Sequence, residues 1–475
     1  MLLAFAISVS ALAADAPEVG IQITPLVAVD TAQTQNEDHW ESWTWIRASA
    51  KQKTENGRWF IAINADHNLR SGEDTEGLWH MAAGESGWAG SVGPTHLRVG
   101  VLNERWGKLD LLPTIDVLNP RDLRAGPLAT IESSRIPIPM MTIQAGNSTV
   151  RGEVTYAPFP EGDHIQMTGS DWSVIRPGMI EKTFAGIPNW AGADNPFLEG
   201  TIKELSTALT ELEPSTQRAL GGALQQIGNP ENYGHKGNIS GRIEVEGPGI
   251  DAALVAANIR SPMPVTKLSK RYREMLSTGS LPAFDQFEDL ASEDPITSSW
   301  PRTWMTGAEL STVLGPIGVR AEGGWWSKRV VQQTWLDSTT TPSVSSGLGL
   351  DYASGSIFFL GLEGRWQHLL EAVPRPFFTR KDVFEVGSTL RLSVLNERLQ
   401  IQTAGLFNLT FEEWLARPEI RWISSDHLSV GIGAVLIDGP TPPPKDLVTT
   451  LAYTGGPLSL MRDNDSVFFT LRWTQ

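Results

Sequence analysis

From Val467 to Trp473 apolar residues recur at every second position, Val467, Phe469, Leu471 and Trp473, with Phe468, Thr470 and Arg472 between them. A strand sends successive side chains to opposite faces, so this alternation predicts a strand with two chemically different sides. The same register runs through Trp59, Ile61, Ile63 and Ala65, and through Leu428, Val430, Ile432, Ala434 and Leu436. Similar segments lie near 21–31, 40–52, 77–90, 95–103, 139–147, 148–157, 237–246, 250–259, 302–313, 316–331, 345–354, 356–367, 384–395, 398–410 and 415–424, about 18 strands in all. Sandwich domains in series would need linkers, and no Pro/Ser/Gly-rich linker interrupts the pattern.

The connections sort by parity. Taking every second one gives short turns of permissive residues: Thr54-Glu55-Asn56-Gly57, Val92-Gly93-Pro94, Gly146-Asn147, Gly247-Pro248-Gly249, Gly315-Pro316, Ser354-Gly355, Asn396-Glu397 and Ser424-Ser425-Asp426. The others are longer, near 32–38, 68–76, 104–138, 158–236, 260–301, 332–344, 368–383 and 438–465; only that at 411–414 is short. Segregation of this kind is a property of bacterial outer-membrane barrels, with short periplasmic turns and long outer loops. The expected fold is therefore all-β, a transmembrane antiparallel β-barrel of about 16 to 18 strands occupying 14–475. Helical insertions are expected in two outer loops. Ile202, Leu205, Leu209 and Leu212, then Leu220, Leu224 and Ile227 after Pro214, read as a helical hairpin inside 158–236; Val265 to Leu276 reads as a basic helix inside 260–301.

Composition fits that architecture. The 475 residues include 18 Trp and 45 Gly, no Cys, and 38 basic against 54 acidic residues, a formal charge of −16. This acidity argues against a nucleic-acid partner, and the lack of cysteine excludes disulfides and thiolate chemistry. Indole rings suit the two edges of a bilayer, which would employ Trp43, Trp45, Trp59, Trp325, Trp326, Trp366, Trp422 and Trp473, while strand glycines would permit curvature. Residues 1–13, apolar from Leu2 to Val9 and followed by Ala11-Leu12-Ala13, read as a signal peptide. The last strand carries an aromatic at Trp473 near the chain end, the kind of signal by which the barrel-assembly machinery recognises its clients.

Charge falls opposite the apolar set. Arg151 and Glu153 share a strand face, as do Arg242 and Glu244, Arg320 and Glu322, Glu363 and Arg365, and Glu419 and Arg421. An Arg facing lipid at mid-depth costs about 2–4 kcal/mol, so these pairs are expected to line the lumen, which at this strand number is wide enough for a channel unless plugged.

A second constellation lies in the 104–138 connection. Trp106-Gly107-x-x-Asp110, Asp116-x-Leu118-Asn119-Pro120-x-Asp122, Arg135-x-Pro137 and Tyr156-x-Pro158 resemble the outer-membrane barrels filed as domain of unknown function 1302, themselves loosely similar to alginate-export porins. The resemblance is confined to roughly residues 95–160 and implies a transport role without a substrate. It also implies a connection that folds inward, placing Trp106, Asp110, Asp116, Asn119, Arg121 and Asp122 at a pore constriction.

Catalytic signatures are missing: there is no G-x-S-x-G, H-E-x-x-H, P-loop or Rossmann glycine pattern. His164 beside Asp163, with Ser170 downstream, is a chance-level hydrolytic spacing, and Asp463-Asn464-Asp465 lacks the further ligands of a calcium loop. No enzyme activity, catalytic residue, cofactor or metal is expected. The expected function is a porin-like channel of the bacterial outer membrane for passive passage or export of a small or oligomeric solute. The alternatives are a non-conducting surface, adhesion or envelope-organising barrel plugged by 158–236 and, behind it, an outer-membrane hydrolase. Expected partners are outer-membrane lipid, lipopolysaccharide and the barrel-assembly machinery, with homo-oligomerisation left open.

Overall fold

The computed structural model describes residues 18–30, 40–70, 78–129, 134–165, 172, 236–268, 270, 296–333, 337–374, 376–443, 453–462 and 464–475. The leader expected at 1–13 and the helical hairpin expected within 158–236 lie outside these residues, as does most of the expected basic helix. The strands are β1 (Glu18–Asp30), β2 (Trp40–Thr54), β3 (Gly57–Arg70), β4 (Leu78–Ala83), β5 (Ser86–Val92), β6 (Thr95–Leu102), β7 (Ile138–Gly146), β8 (Val150–Ala157), β9 (Asn238–Gly247) and β10 (Ile250–Arg260). They continue as β11 (Val265–Leu268), β12 (Ile296–Ser299), β13 (Arg302–Leu314), β14 (Ile317–Gln332), β15 (Ser338–Ser354), β16 (Phe358–Leu369), β17 (Asp382–Val394), β18 (Leu399–Asn408), β19 (Glu413–Ser425), β20 (Leu428–Asp438) and β21 (Ser466–Thr474).

All but β11 and β12 form one sheet of 19 segments in which each pairs antiparallel with its neighbour and β21 returns to pair with β1. β4 and β5 both pair with β3 and are two halves of one strand, interrupted at Gly84-Glu85. There Ser86 Oγ accepts the Ala62 N–H at 2.9 Å, repairing the ladder that the bulge breaks. The result is a closed 18-stranded antiparallel barrel. Each of the 18 alternating segments of the sequence is a barrel strand, and the short turns gather at the end that carries Glu18 and Thr474.

β11 and β12 correct one expectation. Val265 to Leu268 does not begin a helix but pairs antiparallel with Ile296 to Ser299. Val265 and Thr266 are β-branched and find a β-partner in a segment distant in sequence; buried Thr266 also donates its N–H to Ser338 Oγ at 2.7 Å. Of the expected basic helix only Lys270 beyond the strand is described, and it is helical; the other helical turns among the described residues are three-residue 3-10 turns at Gly126–Leu128 and Ser459–Met461.

The two faces of the barrel differ as the alternation requires. Ile243, Leu254, Leu310, Leu350, Leu362, Ile420 and Ile432 are exposed, whereas Glu309, Glu322, Glu363 and Glu419 on the other face are buried. In a closed cylinder the buried charged face is the inner one and the exposed apolar face is the outer one. Trp40, Trp79, Tyr156 and Trp304 lie on the outer face toward the long-loop end, and Trp59, Tyr352 and Trp422 toward the short-turn end. They form two belts, one near each end of the outer face, the arrangement that aromatic residues take in membrane barrels. Trp43, Trp45 and Trp326 do not join them. Trp43 is buried and stacks on Trp45 with ring centroids 5.7 Å apart, and Trp326 sits in an interior apolar cluster. A Trp spaced for a strand cannot by itself tell girdle from filling.

Leu254 is half-way along β10 and 66% exposed. Leu254→Arg is expected to destabilise the folded barrel in lipid vesicles by about 2–4 kcal/mol, read from urea unfolding curves; an unchanged midpoint would mean that this face does not meet lipid.

Candidate functional site

The described residues of the segment between β6 and β7, 103–129 and 134–137, are short of regular structure, so their backbone donors need partners elsewhere. They find them on the inner wall. Glu309 of β13 accepts the Gly107 N–H at 2.9 Å; Glu322 of β14 accepts those of Lys108 at 3.1 Å and Thr114 at 2.6 Å. Glu363 of β16 accepts three, from Asp110 at 2.7 Å and from Leu111 and Leu112 at 2.9 Å each. Arg320 of β14 completes the contact from the acceptor side. It donates to the Lys108 carbonyl, to Asp110 at 2.7 Å, to Asp351 at 2.8 Å and to Glu363 at 3.2 Å. Arg365 donates to the Pro113 carbonyl at 3.3 Å and to Glu385 at 2.7 Å.

Wall glycines seat the apolar side chains of the same segment. A methyl group at Gly347 or Gly349 of β15 would collide with buried Leu109, and one at Gly307 or Gly324 would press on Ile115. Gly107 itself adopts φ +92°, and any Cβ there would strike the Glu322 carboxylate.

The return half of the segment reaches the opposite wall. Ala125 and Leu128 join Leu26, Trp43, Val435 and Phe468, drawn from β1, β2, β20 and β21, in one buried cluster with Trp172. Arg124 binds Asp66 of β3 at 3.3 Å and Asp122 at 2.6 Å. Residues 103–137 thus extend across the barrel from β13–β16 to β1–β3.

The six residues singled out in this segment divide by role. Trp106 is buried and donates its Nε1–H to Glu153 of β8 at 3.1 Å. Asp110 is half-exposed between Arg105 at 2.5 Å and Arg320. Asp116 is buried and takes both Nε and Nη2 of Arg135, at 3.0 and 2.8 Å, with Arg121 at 3.4 Å. Asn119 closes the neck: its Oδ1 accepts the Glu104 N–H at 2.8 Å, and its Nδ2 donates to the carbonyls of Leu102 and Ile136 at 2.9 and 2.8 Å. Arg121 remains partly exposed, and Asp122 faces Arg124. Burial works against ionisation of Asp122, but the Arg124 hydrogen bonds outweigh it and hold the carboxyl below the usual range. For Glu104 burial wins over the ion pair with Arg98 and pushes the carboxyl up.

The five strand pairs lie on the inner face, but their partners are mostly on other strands. Arg151 binds Glu244 at 3.2 Å and also Glu246, while Glu153 is occupied by Trp106. Arg242 reaches Glu244 at 2.9 Å and buried Glu309. Arg320 and Glu322, like Glu363 and Arg365, do not bond to each other; both members of each pair bind the 103–137 segment or a neighbouring strand. Glu419 and Arg421 do pair, at 2.7 Å, with Arg417 at 3.6 Å and Gln402 at 3.0 Å sharing the carboxylate. The sequence reading missed Glu309, Asp351 and Glu385; their signal was the same alternation, without a second charge two residues away.

The hydrolytic spacing at Asp163 and His164 does not gain support. Asp163 Oδ1 accepts the Arg121 N–H at 2.8 Å, the His164 backbone bridges to Arg121 and Leu123, and Ser170 lies outside the described residues. Of the Asp463 to Asp465 trio, Asp463 is likewise outside, and Asp465 accepts the Ile437 N–H at 2.8 Å.

No protein-family model matches this chain, so the likeness over residues 95–160 remains a resemblance, and no curated protein matches it either. Among solved structures it is similar to Salmonella typhi OmpF in complex with daunomycin, at 7% identity, 97% coverage of both chains and a TM-score of 0.38. It is similar to Pseudomonas aeruginosa OccK5 (OpdH), at 8% identity, 98% coverage of both and a TM-score of 0.47. Pseudomonas aeruginosa OccK2 (OpdF) in complex with glucuronate matches at 9% identity over 96% of this chain and 97% of that one, with a TM-score of 0.44. Below a TM-score of 0.5 these likenesses assign no function to this chain.

Proposed function

We propose that this chain is a porin-like channel of the bacterial outer membrane, passing a small or oligomeric solute through a lumen that the 103–137 segment narrows. The observation that carries this reading is the inner wall. Side chains such as Arg47 and Arg151 retain solvent contact there, at 47% and 36% exposure, on a face that a dry interior would fill with apolar groups. The short turns then lie on the periplasmic side and the long loops outside. Lipid and lipopolysaccharide meet the apolar outer face, and the barrel-assembly machinery takes the β21 end. No chemistry beyond passage is proposed.

A second reading has its own support in the wall-to-wall reach of 103–137, namely a non-conducting barrel closed by that segment. Reconstitution of the refolded protein into planar bilayers separates the two. Ohmic unitary steps from the wild-type protein are expected. Silence at every voltage, relieved only when the segment is released from the wall, would establish the plugged barrel instead.

A further inference from the structure

On the short-turn side of the segment's neck, the inner wall lines an open recess of about 730 Å³, within the range typical of small-molecule sites. Its lining is unusually basic for so acidic a chain: Lys53, Arg58, His96 and Arg98 face Glu104 and Glu153. Both carboxylates have partners already, since Glu104 takes Arg98 at 2.6 Å and Glu153 takes the Trp106 indole at 3.1 Å. Among the described residues Lys53 and Arg58 have no ionic partner, yet they stand directly opposite each other on β2 and β3. Like charges so placed repel. The row continues through Ala89 to Arg98 and Thr142, so that β2, β3 and β6 present three cations along one line, with His96 and Gln144 opposite each other one pleat away.

We propose that this recess is a binding site for a small anionic solute carrying a carboxylate or phosphate group, held between Lys53 and Arg58 and reached from the short-turn end. An anion between the two cations removes their repulsion and forms charge-assisted hydrogen bonds with both. Arg98, His96 and Gln144 supply further donors for the rest of the molecule. The formal charge of −16 therefore does not describe this part of the lumen, whose unpaired charge is positive. The inference deepens the channel reading and rests on it for physiological meaning, because the solute would meet this site on its way through.

The test uses full-length refolded protein in detergent micelles at low ionic strength, titrated calorimetrically with citrate, with inorganic phosphate and with neutral trehalose. Citrate, phosphate or both are expected to bind and trehalose not to, which also tells carboxylate from phosphate recognition. The double variant Lys53→Gln/Arg58→Gln is expected to weaken anion binding about tenfold or more, a loss in the range of one to two charge-assisted contacts. Lys381→Gln, outside the strands, serves as the control of unchanged affinity, and heat-modifiable gel mobility verifies that each variant is folded. Anion binding that is absent in the wild type, or unchanged in the folded double variant, would overturn the proposal. In bilayers across a KCl gradient the wild type is expected to favour chloride and the double variant to shift toward potassium. A conducting wild type that prefers potassium counts against the site, whereas a protein that never conducts but loses citrate binding on substitution counts against the channel alone.

Discussion

Replacing Glu322 and Glu363 together by alanine is expected to raise the unitary conductance several-fold. Those two carboxylates accept five backbone N–H groups of residues 108–114, and the substitution also deprives Arg320 of one of its anchors. Hydrogen bonds to charged groups contribute roughly 1.5–3 kcal/mol each, and the donors they leave behind have no helix or sheet ladder to fall back on. Glu309 at Gly107, Arg320 at the Lys108 carbonyl and Asp110, Arg365 at the Pro113 carbonyl and the seating of Leu109 and Ile115 over wall glycines remain. Five main-chain donors nevertheless lose their acceptors, and the stretch is expected to loosen from the wall. The barrel strands keep their own ladders, so the folded fraction should change little. Single-channel recording against Glu397→Gln, in a short turn, provides the comparison. A double variant with wild-type conductance would mean that the segment does not limit flow.

The largest stability effect is expected at Asp116. Its carboxylate and Arg135 are 4% and 8% exposed, and both guanidinium contacts fall on the one oxygen, Asp116 Oδ2. Asp116→Ala leaves a buried guanidinium without its counter-ion, a loss of about 3–5 kcal/mol. The damage is local, because the pair joins two parts of the same segment and no strand. Trypsin is therefore expected to cut the variant near Arg121 and Arg124 while the heat-modifiable mobility of the barrel persists. Removing the orphaned charge as well, with Asp116→Ala/Arg135→Met, should restore part of the resistance. Equal protease resistance in the wild type and Asp116→Ala would remove this pair from any structural role.

The strands were legible because a closed barrel with a charged inner face and an apolar outer face enforces period two on every one of them. The turn parity was legible for the same reason, since an antiparallel closed sheet alternates ends without exception. Partner choice was not. Residues two apart on a strand share a face, but neighbours across the ladder compete for them: Arg365 takes Glu385 directly opposite, and Arg320 takes Asp351 on the diagonal, rather than the carboxylates beside them in sequence. Nor could spacing show that Glu322 and Glu363 would serve main-chain N–H groups more than 200 residues away. Asn119 bonds only backbone, and its reach to both ends of the segment depends on β6 and β7 lying side by side, which spacing does not show. Val265 misled because a basic amphipathic run and a short edge strand look alike until a partner strand is found.

The anchoring of 103–137 also sets an order of events during assembly. Its acceptors are carried by β13, β14 and β16, synthesised long after the segment itself, and its far end packs against β1, β20 and β21, which meet only at closure. Contacts of such sequence separation form late. The segment therefore cannot nucleate the barrel and must wait for it, so that every nascent molecule passes through a closed but unobstructed stage. On the proposed channel reading that stage is a brief leak with each copy inserted, and the pace at which three glutamates capture one strip of main chain sets how long it lasts.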